Sequence, residues 1–172
     1  MNQQRRSRGT KQVHDGTTFI EFTRTFRASI EDVWAAVTES DRLGRWIGEW
    51  TGDPADGAVQ FRMTFEGDEH TPERMQIDEC EAPRLLRLTS TVLTEGEQQQ
   101  WRFRIDLSEA DGVTTLLFAQ DVPTPAMAEG VGPGWEYYLD RLVVAEAGGD
   151  PATVVWDDYY PVLSEHYKAA FA

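Results

Sequence analysis

Residues 101–107 read Trp-Arg-Phe-Arg-Ile-Asp-Leu, so apolar and polar side chains alternate with a period of two. This period places successive side chains on opposite faces of an extended chain, which predicts an antiparallel strand with one buried face. The dipeptide Asp111-Gly112 follows and predicts a tight hairpin turn into a last strand over residues 113–120. Residues 59–65 alternate in the same way, so several strands are expected to share one half-buried sheet.

Helical patterns lie on both sides of these strands. After a strand over residues 19–26, Ser29 is a candidate N-cap for a helix with apolar residues at helical spacing. Asp41 is a candidate cap for a second short helix, and a longer apolar helix face begins after Gly134. This order predicts an α+β fold in which a curved antiparallel sheet closes over a long C-terminal helix.

The chain is expected to form one domain over residues 18–172, preceded by a basic, disordered tail over residues 1–17. An extra C-terminal helical segment is predicted at about residues 150–172, with a helix beginning near Asp157 or Asp158. An apolar stripe along this segment favours packing back onto the body over a dimer contact, although a homodimer stays possible. The stripe comprises Trp156, Tyr160, Leu163 and Tyr167.

The charge of the chain excludes some partners. The 172 residues carry 16 Lys+Arg and 30 Asp+Glu, a net charge of −14, and residues 12–172 alone carry −18. Such a body repels nucleic acid and an anionic membrane surface, so neither is an expected partner. No apolar run approaches a membrane span and no signal peptide is recognised, so a cytoplasmic protein is expected.

Familiar catalytic and metal-binding arrangements are missing from the sequence. The three histidines are far apart in the sequence, and the alternation of side chains places the single cysteine, Cys80, on the polar face of its strand. We therefore expect no metal and no cofactor. Gly130, Gly132 and Gly134 precede the long helix without a phosphate-binding signature and predict a flexible entry into it. Five arginines are expected on the outer, salt-bridged sheet face: Arg62, Arg74, Arg87, Arg102 and Arg104.

Large apolar side chains from the sheet and the long helix are candidates for a ligand-binding cavity. They are Trp46, Phe61, Met63, Met75, Trp101, Phe103, Phe118, Trp135, Tyr138 and Leu142. Aromatic rings and adaptable methionines suit a pocket for an apolar small molecule, but the same residues could pack a solid core. The inward-facing polar candidates are Tyr138, Ser90 and Arg24, and Arg24 is expected to pair with a carboxylate.

Several segments carry a family resemblance. Residues 22–28, the helix at 33–38 and Leu43-Gly44-Arg45-Trp46 resemble the opening of the START-like (SRPBCC) superfamily, more narrowly bacterial homologues of the heat-shock chaperone ATPase activator. Residues 81–86 and 134–142 are similar to later landmarks, so the resemblance spans about residues 19–147. It implies a helix-grip fold: a sheet, usually of seven strands, two short helices after the first strand, and an apolar cavity under a long helix.

This resemblance leaves three functions open. The first is binding of a hydrophobic or aromatic small molecule, lipid- or polyketide-like, in the cavity. The second is an enzyme of the cyclase or aromatase kind, which would need a positioned acid or base in the pocket. The third is a chaperone-interacting stress-response protein, for which the acidic body offers no evident basic docking surface.

Overall fold

The computed structural model describes residues 8–66 and 71–172 and contains one antiparallel sheet. Its strands are β1 (Thr10–His14), β2 (Thr17–Phe26), β3 (Gly48–Thr51), β4 (Ala58–Met63), β5 (Glu73–Glu81), β6 (Leu85–Thr94), β7 (Glu97–Ala110) and β8 (Val113–Asp121). The eight strands follow the order β1-β2-β8-β7-β6-β5-β4-β3, so the curved sheet stays open between β1 and β3. The predicted hairpin at Asp111-Gly112 is confirmed, because it joins β7 to β8 with both residues at positive φ.

In the described part of the chain, four α-helices accompany the sheet: α1 (Ile30–Thr38), α2 (Ser40–Leu43), α3 (Ala128–Glu146) and α4 (Ser164–Phe171). The Ser29 side chain accepts a hydrogen bond from the amide of Asp32, which is the predicted N-cap of α1. Helix α3 packs against β2, and a buried apolar core lies between the helices and this part of the sheet. The α+β helix-grip fold expected from the sequence is therefore confirmed. No helix in the described part of the chain is long and apolar enough to cross a bilayer.

The N-terminal segment corrects the predicted domain boundary. Residues 10–14 form β1 and pair with β2 from Thr10 opposite Glu21 to His14 opposite Thr17. The turn between them, Asp15-Gly16, adopts positive φ at both residues, as a tight hairpin requires. The disorder expected through residue 17 is thus wrong for residues 8–17, whereas residues 1–7 lie outside the described residues. With β1, the described sheet has eight strands, whereas seven were expected.

Helix α3 begins earlier than its pattern predicted. It starts at Ala128, so Gly130, Gly132 and Gly134 lie within its first two turns and do not form a flexible entry. Gly132 is buried, because the ring of Tyr167 from α4 packs directly onto its Cα. A glycine at this position therefore permits the close approach of the two helices.

The C-terminal segment packs against α3 as expected, but with different boundaries. A short 3-10 turn occupies Trp156–Asp158 and α4 starts only at Ser164, so the helix start near Asp157 was wrong. Trp156 and Tyr160 remain 39% and 44% exposed. The buried stripe consists instead of Tyr159, Leu163, Tyr167 and Phe171.

Candidate functional site

An apolar cavity of about 410 Å³ lies between the concave face of the sheet and helix α3. Strands β3 to β8 form its floor, α3 covers it, and α1 and α2 close one side. Its volume falls in the range of about 300–1,000 Å³ typical of small-molecule sites. The inward-facing residues of this sheet therefore leave a space beside the packed core.

Most of the residues predicted for a cavity line this one. They are Trp46, Phe61, Met63, Met75, Phe103, Phe118, Trp135 and Leu142. The predicted residues Trp101 and Tyr138 are not among the lining residues. Trp101 lies opposite Ser90 on β7, beyond the part of the strand that reaches the cavity with Phe103.

Tyr138 is displaced from the cavity by the geometry of α3. At 3.6 residues per turn its side chain points about 60° away from that of Trp135, whereas Leu139 and Leu142 lie on the cavity side. The Tyr138 ring is buried beside Tyr137, with centroids 5.0 Å apart. Burial and the nearby Glu66 carboxylate raise the pKa of the Tyr138 phenol, so its hydroxyl stays protonated.

Four tryptophans line the cavity, and the sequence predicted only two of them. Trp34 and Trp50 join Trp46 and Trp135 because α1 and the edge strand β3 reach the cavity wall. The indole N–H of Trp46 donates to the carbonyl of Ala36 at 3.0 Å. The N–H groups of Trp50 and Trp135 donate to the Thr38 carbonyl and the Gln120 side chain. Since these donors are already engaged, the three rings offer the cavity mainly apolar, polarisable surface.

A β-bulge in β5 determines the position of Cys80. Ile77 pairs with Leu88 and Glu79 pairs with Arg87, so the register shifts between Ile77 and Glu79. One extra residue on a strand reverses which face the following side chains occupy. Cys80, opposite Leu86, therefore lies on the concave side and borders the cavity, where it is exposed to solvent at the rim. The prediction that Cys80 shares the polar face was wrong, and only the structure reveals the bulge.

Charged side chains are sparse in the cavity wall. Among the described lining residues, only Glu39 and Glu73 carry a charge, and no lysine, arginine or histidine is present. Glu39 is exposed at the rim, while Glu73 is half-buried and accepts a hydrogen bond from Ser90 Oγ at 2.7 Å. The outer face carries the expected ion pairs, Arg62–Glu49 at 2.9 Å, Arg87–Glu79 at 3.3 Å and Arg104–Asp106 at 2.6 Å.

A second group of buried charges lies outside the cavity lining, where α3 meets β2 and the C-terminal segment. Arg24 Nη2 lies 3.4 Å from Asp140 Oδ1, and each side chain is 7% exposed. The expectation that Arg24 pairs with a carboxylate is thereby confirmed. Tyr159 donates to Asp140 at 2.5 Å, and Tyr167 donates to Glu136 at 2.6 Å. These contacts attach the C-terminal segment to α3 and fix the helix that covers the cavity.

Burial affects the ionisation of Glu136 in this group. Desolvation raises the pKa of the Glu136 carboxyl, although the Tyr167 hydroxyl and the Arg8 guanidinium act in the opposite direction. Within residues 8–66 and 71–172, no three His, Cys, Asp or Glu side chains are placed to hold a metal ion together. The cavity can therefore bury apolar surface, stack aromatic rings and accept hydrogen bonds at one half-buried carboxylate.

The curved sheet, the long helix over it and the cavity between them define a helix-grip domain of the START-like (SRPBCC) class. Within this class, the chain belongs to the family described as Activator of Hsp90 ATPase homolog 1-like protein, whose sequence model matches residues 27–145. A comparison with curated proteins finds no significant match.

Solved structures share the fold across most of the chain. CalU16 from Micromonospora echinospora is 24% identical with a TM-score of 0.69, over 96% of this chain and 94% of that chain. The protein BPP1335 from Bordetella parapertussis is 21% identical with a TM-score of 0.70, over 95% and 91%. DynU16, from the dynemicin biosynthetic locus, is 23% identical with a TM-score of 0.63, over 77% of this chain and 49% of that chain. At these identities the likeness establishes the fold.

Proposed function

We propose that the protein binds a hydrophobic or aromatic small molecule in the cavity beneath α3. The observation that carries this proposal is a space of about 410 Å³ whose described lining is apolar except at a few positions and includes four tryptophans. Moving about 200 Å² of apolar ligand surface from water into this space would contribute about 5 kcal/mol before the costs of association. Flat aromatic ligands gain further from stacking on the indole and phenyl rings.

A structural neighbour supports this class of ligand. DynU16 lies in the dynemicin biosynthetic locus, which connects one protein of this fold with the making of a small molecule. A polyketide-like aromatic compound is the ligand type that we infer from this connection and from the aromatic wall. The net charge of −14 favours a pocket ligand over nucleic acid or an anionic membrane as the partner.

Fluorescence titration with N-phenyl-1-naphthylamine, a neutral aromatic probe that brightens in apolar surroundings, tests the proposal. We expect saturable binding by the wild-type protein and at least tenfold weaker binding by Met75→Trp, whose larger ring occupies part of the cavity. Gln76→Trp is the matched control, because Gln76 is the next residue of the same strand and is exposed on the opposite face. Equal affinity of both variants, or no saturable binding by folded wild-type protein, would refute the proposal.

Cys80 gives an independent measurement of where the probe binds. It is the single cysteine of the chain and borders the cavity, so a thiol reagent modifies one known position. Saturating N-phenyl-1-naphthylamine should slow the reaction of Cys80 with 5,5′-dithiobis(2-nitrobenzoate) severalfold in the wild-type protein. An unchanged rate at saturation would show that the probe does not cover the cavity rim at Cys80.

A further inference from the structure

The wall of the cavity contains a positioned carboxylate. Glu73 lies directly opposite Phe61 on the neighbouring strand, so strand pairing places both side chains on the concave face. Ser90 is fully buried, and its hydroxyl donates to Glu73 Oε2 at 2.7 Å. This bond orients the carboxylate at the cavity, and a carboxylate has acceptor sites for several more donors.

The charged side chains in the described cavity wall are all acidic. Glu39 and Glu73 are both acidic, and the described lining residues include no basic side chain. Arg62, Arg87 and Arg104 project from the other face and pair there with Glu49, Glu79 and Asp106. A ligand carboxylate in the cavity would lose its hydration without gaining a counter-ion, which is strongly unfavourable.

A cationic group on the ligand would gain a counter-ion in this cavity. An ammonium near Glu73 would exchange water for a charge-assisted hydrogen bond, the stronger kind of hydrogen bond in proteins. Trp50 pairs with Phe61, which pairs with Glu73, so an indole ring lies on the same part of the wall, and the face of an indole ring attracts cations. An alcohol could donate to Glu73 but would gain neither the ion pair nor the cation–π attraction.

We propose that Glu73 makes the cavity selective for apolar ligands that carry an amine, and that it excludes fatty acids and aromatic acids. This inference rests on the proposed function, since it assigns a ligand class to the same cavity. Ser90 acts as a positioning residue for the carboxylate, and Glu73 makes the contact with the ligand.

The experiment uses three ligands that share a 2-naphthylmethyl group and differ in charge. 2-Naphthylmethylamine, 2-naphthylmethanol and 2-naphthylacetate compete with N-phenyl-1-naphthylamine at pH 7. We expect the amine to displace the probe at a concentration at least tenfold lower than the alcohol, and the acid to be weaker than both. Probe binding without displacement in this order would refute the selectivity alone, whereas absence of saturable probe binding would refute the proposed function itself.

Two matched variants show which carboxylate causes the preference for the amine. Glu73→Gln keeps the shape and an acceptor for Ser90 but removes the charge, so the amine should lose its tenfold advantage over the alcohol. Glu39→Gln makes the same change of charge at the exposed rim, and it should retain the advantage. If Glu39→Gln removes the advantage as fully as Glu73→Gln does, the preference is a general property of the acidic protein and the proposal fails.

A salt series on the wild-type protein keeps the proposal falsifiable even if Glu73→Gln fails to fold. Exposed charges more than about 3 Å apart are largely screened at 1 M salt, whereas a contact inside a cavity is screened much less. The amine should therefore keep most of its advantage over the alcohol between 0.1 M and 1 M potassium chloride. Loss of the advantage at 1 M salt would show that long-range attraction caused it, and would overturn the assignment to Glu73.

Discussion

Gly132→Ala changes the contact between helices α3 and α4 by one methyl group. A Cβ atom at this position would lie within 2.6 Å of Cγ, Cδ1 and Cδ2 of the Tyr167 ring. Ordinary contacts lie between 3.4 and 4 Å, and Tyr167 is fully buried, so its ring has no free space into which to turn. Helix α4 therefore has to move away from α3 by about 1 Å to relieve the overlap.

The cost of this movement follows from the contacts that Tyr167 makes. Its hydroxyl donates to Glu136 at 2.6 Å and accepts a hydrogen bond from the amide of Gly9 at 2.9 Å. Overpacking costs about 1–3 kcal/mol, and loss of a hydrogen bond to a charged group costs about 1.5–3 kcal/mol. The better helix propensity of alanine returns about 1 kcal/mol. We expect a net destabilisation of about 1.5–5 kcal/mol, and a fall in Tm of roughly 3–20 °C.

Gly130→Ala and Gly134→Ala are the matched controls for this prediction. An added Cβ meets no atom within 4 Å at either position, so both variants should be as stable as the wild type or up to about 1 kcal/mol more stable. Urea denaturation followed by circular dichroism measures all three. Because residue 132 precedes Pro133, the comparison is repeated in a Pro133→Ala background, which lacks the backbone restriction before proline. Equal stability of the three alanine variants there would refute the steric explanation.

Three further predictions concern stability. Burial raises the pKa of the Glu136 carboxyl, so the folded state holds this proton at pH values where the unfolded chain has lost it. The unfolding free energy of the wild type relative to Glu136→Gln should therefore fall as pH rises from 4.5 through the raised pKa, and parallel pH profiles would contradict this. Asp140→Asn removes the charge that compensates buried Arg24 and should cost about 3–5 kcal/mol in urea denaturation, and a cost below 1 kcal/mol would show that the pair contributes little. Glu95 has a φ of 51°, which asparagine tolerates better, so Glu95→Asn should raise the unfolding free energy by up to about 1 kcal/mol, and a decrease would disprove this view of the turn.

The alternation of side chains was sufficient to predict the centre of the sheet. Residues 101–107 and the turn at Asp111-Gly112 have local signals strong enough to specify their strands and register. The same hairpin signal occurs at Asp15-Gly16, but the surrounding basic residues indicated a disordered tail. Strand β1 forms because β2 offers it an edge and because Gly9 contacts Tyr167, neither of which a local pattern can show.

The cavity was predicted in part, because the alternation of side chains shows which residues face inward but not how far the cavity extends. Phe61 and Phe103 were found from the period of two, and both line the cavity. Cys80 was missed because the bulge that places it on the concave face leaves no mark in the side-chain pattern. Trp50 was missed because it belongs to a short edge strand. Periodicity also cannot distinguish a filled core from an empty one, because it carries no information on the distance between sheet and helix.

The contact between Gly9 and Tyr167 joins residues 158 positions apart, and this separation has a kinetic consequence. Closing a flexible loop of that length costs about 4–5 kcal/mol of chain entropy, so this contact gains little until the sheet and α3 are already in place. We expect the two ends of the described chain to join last during folding and to separate first during unfolding. Amide hydrogen exchange should then be faster at Gly9 than in the central strands β7 and β8. The time for which α3 stays in place over the cavity would then depend on this late-forming contact and not on the sheet beneath the helix.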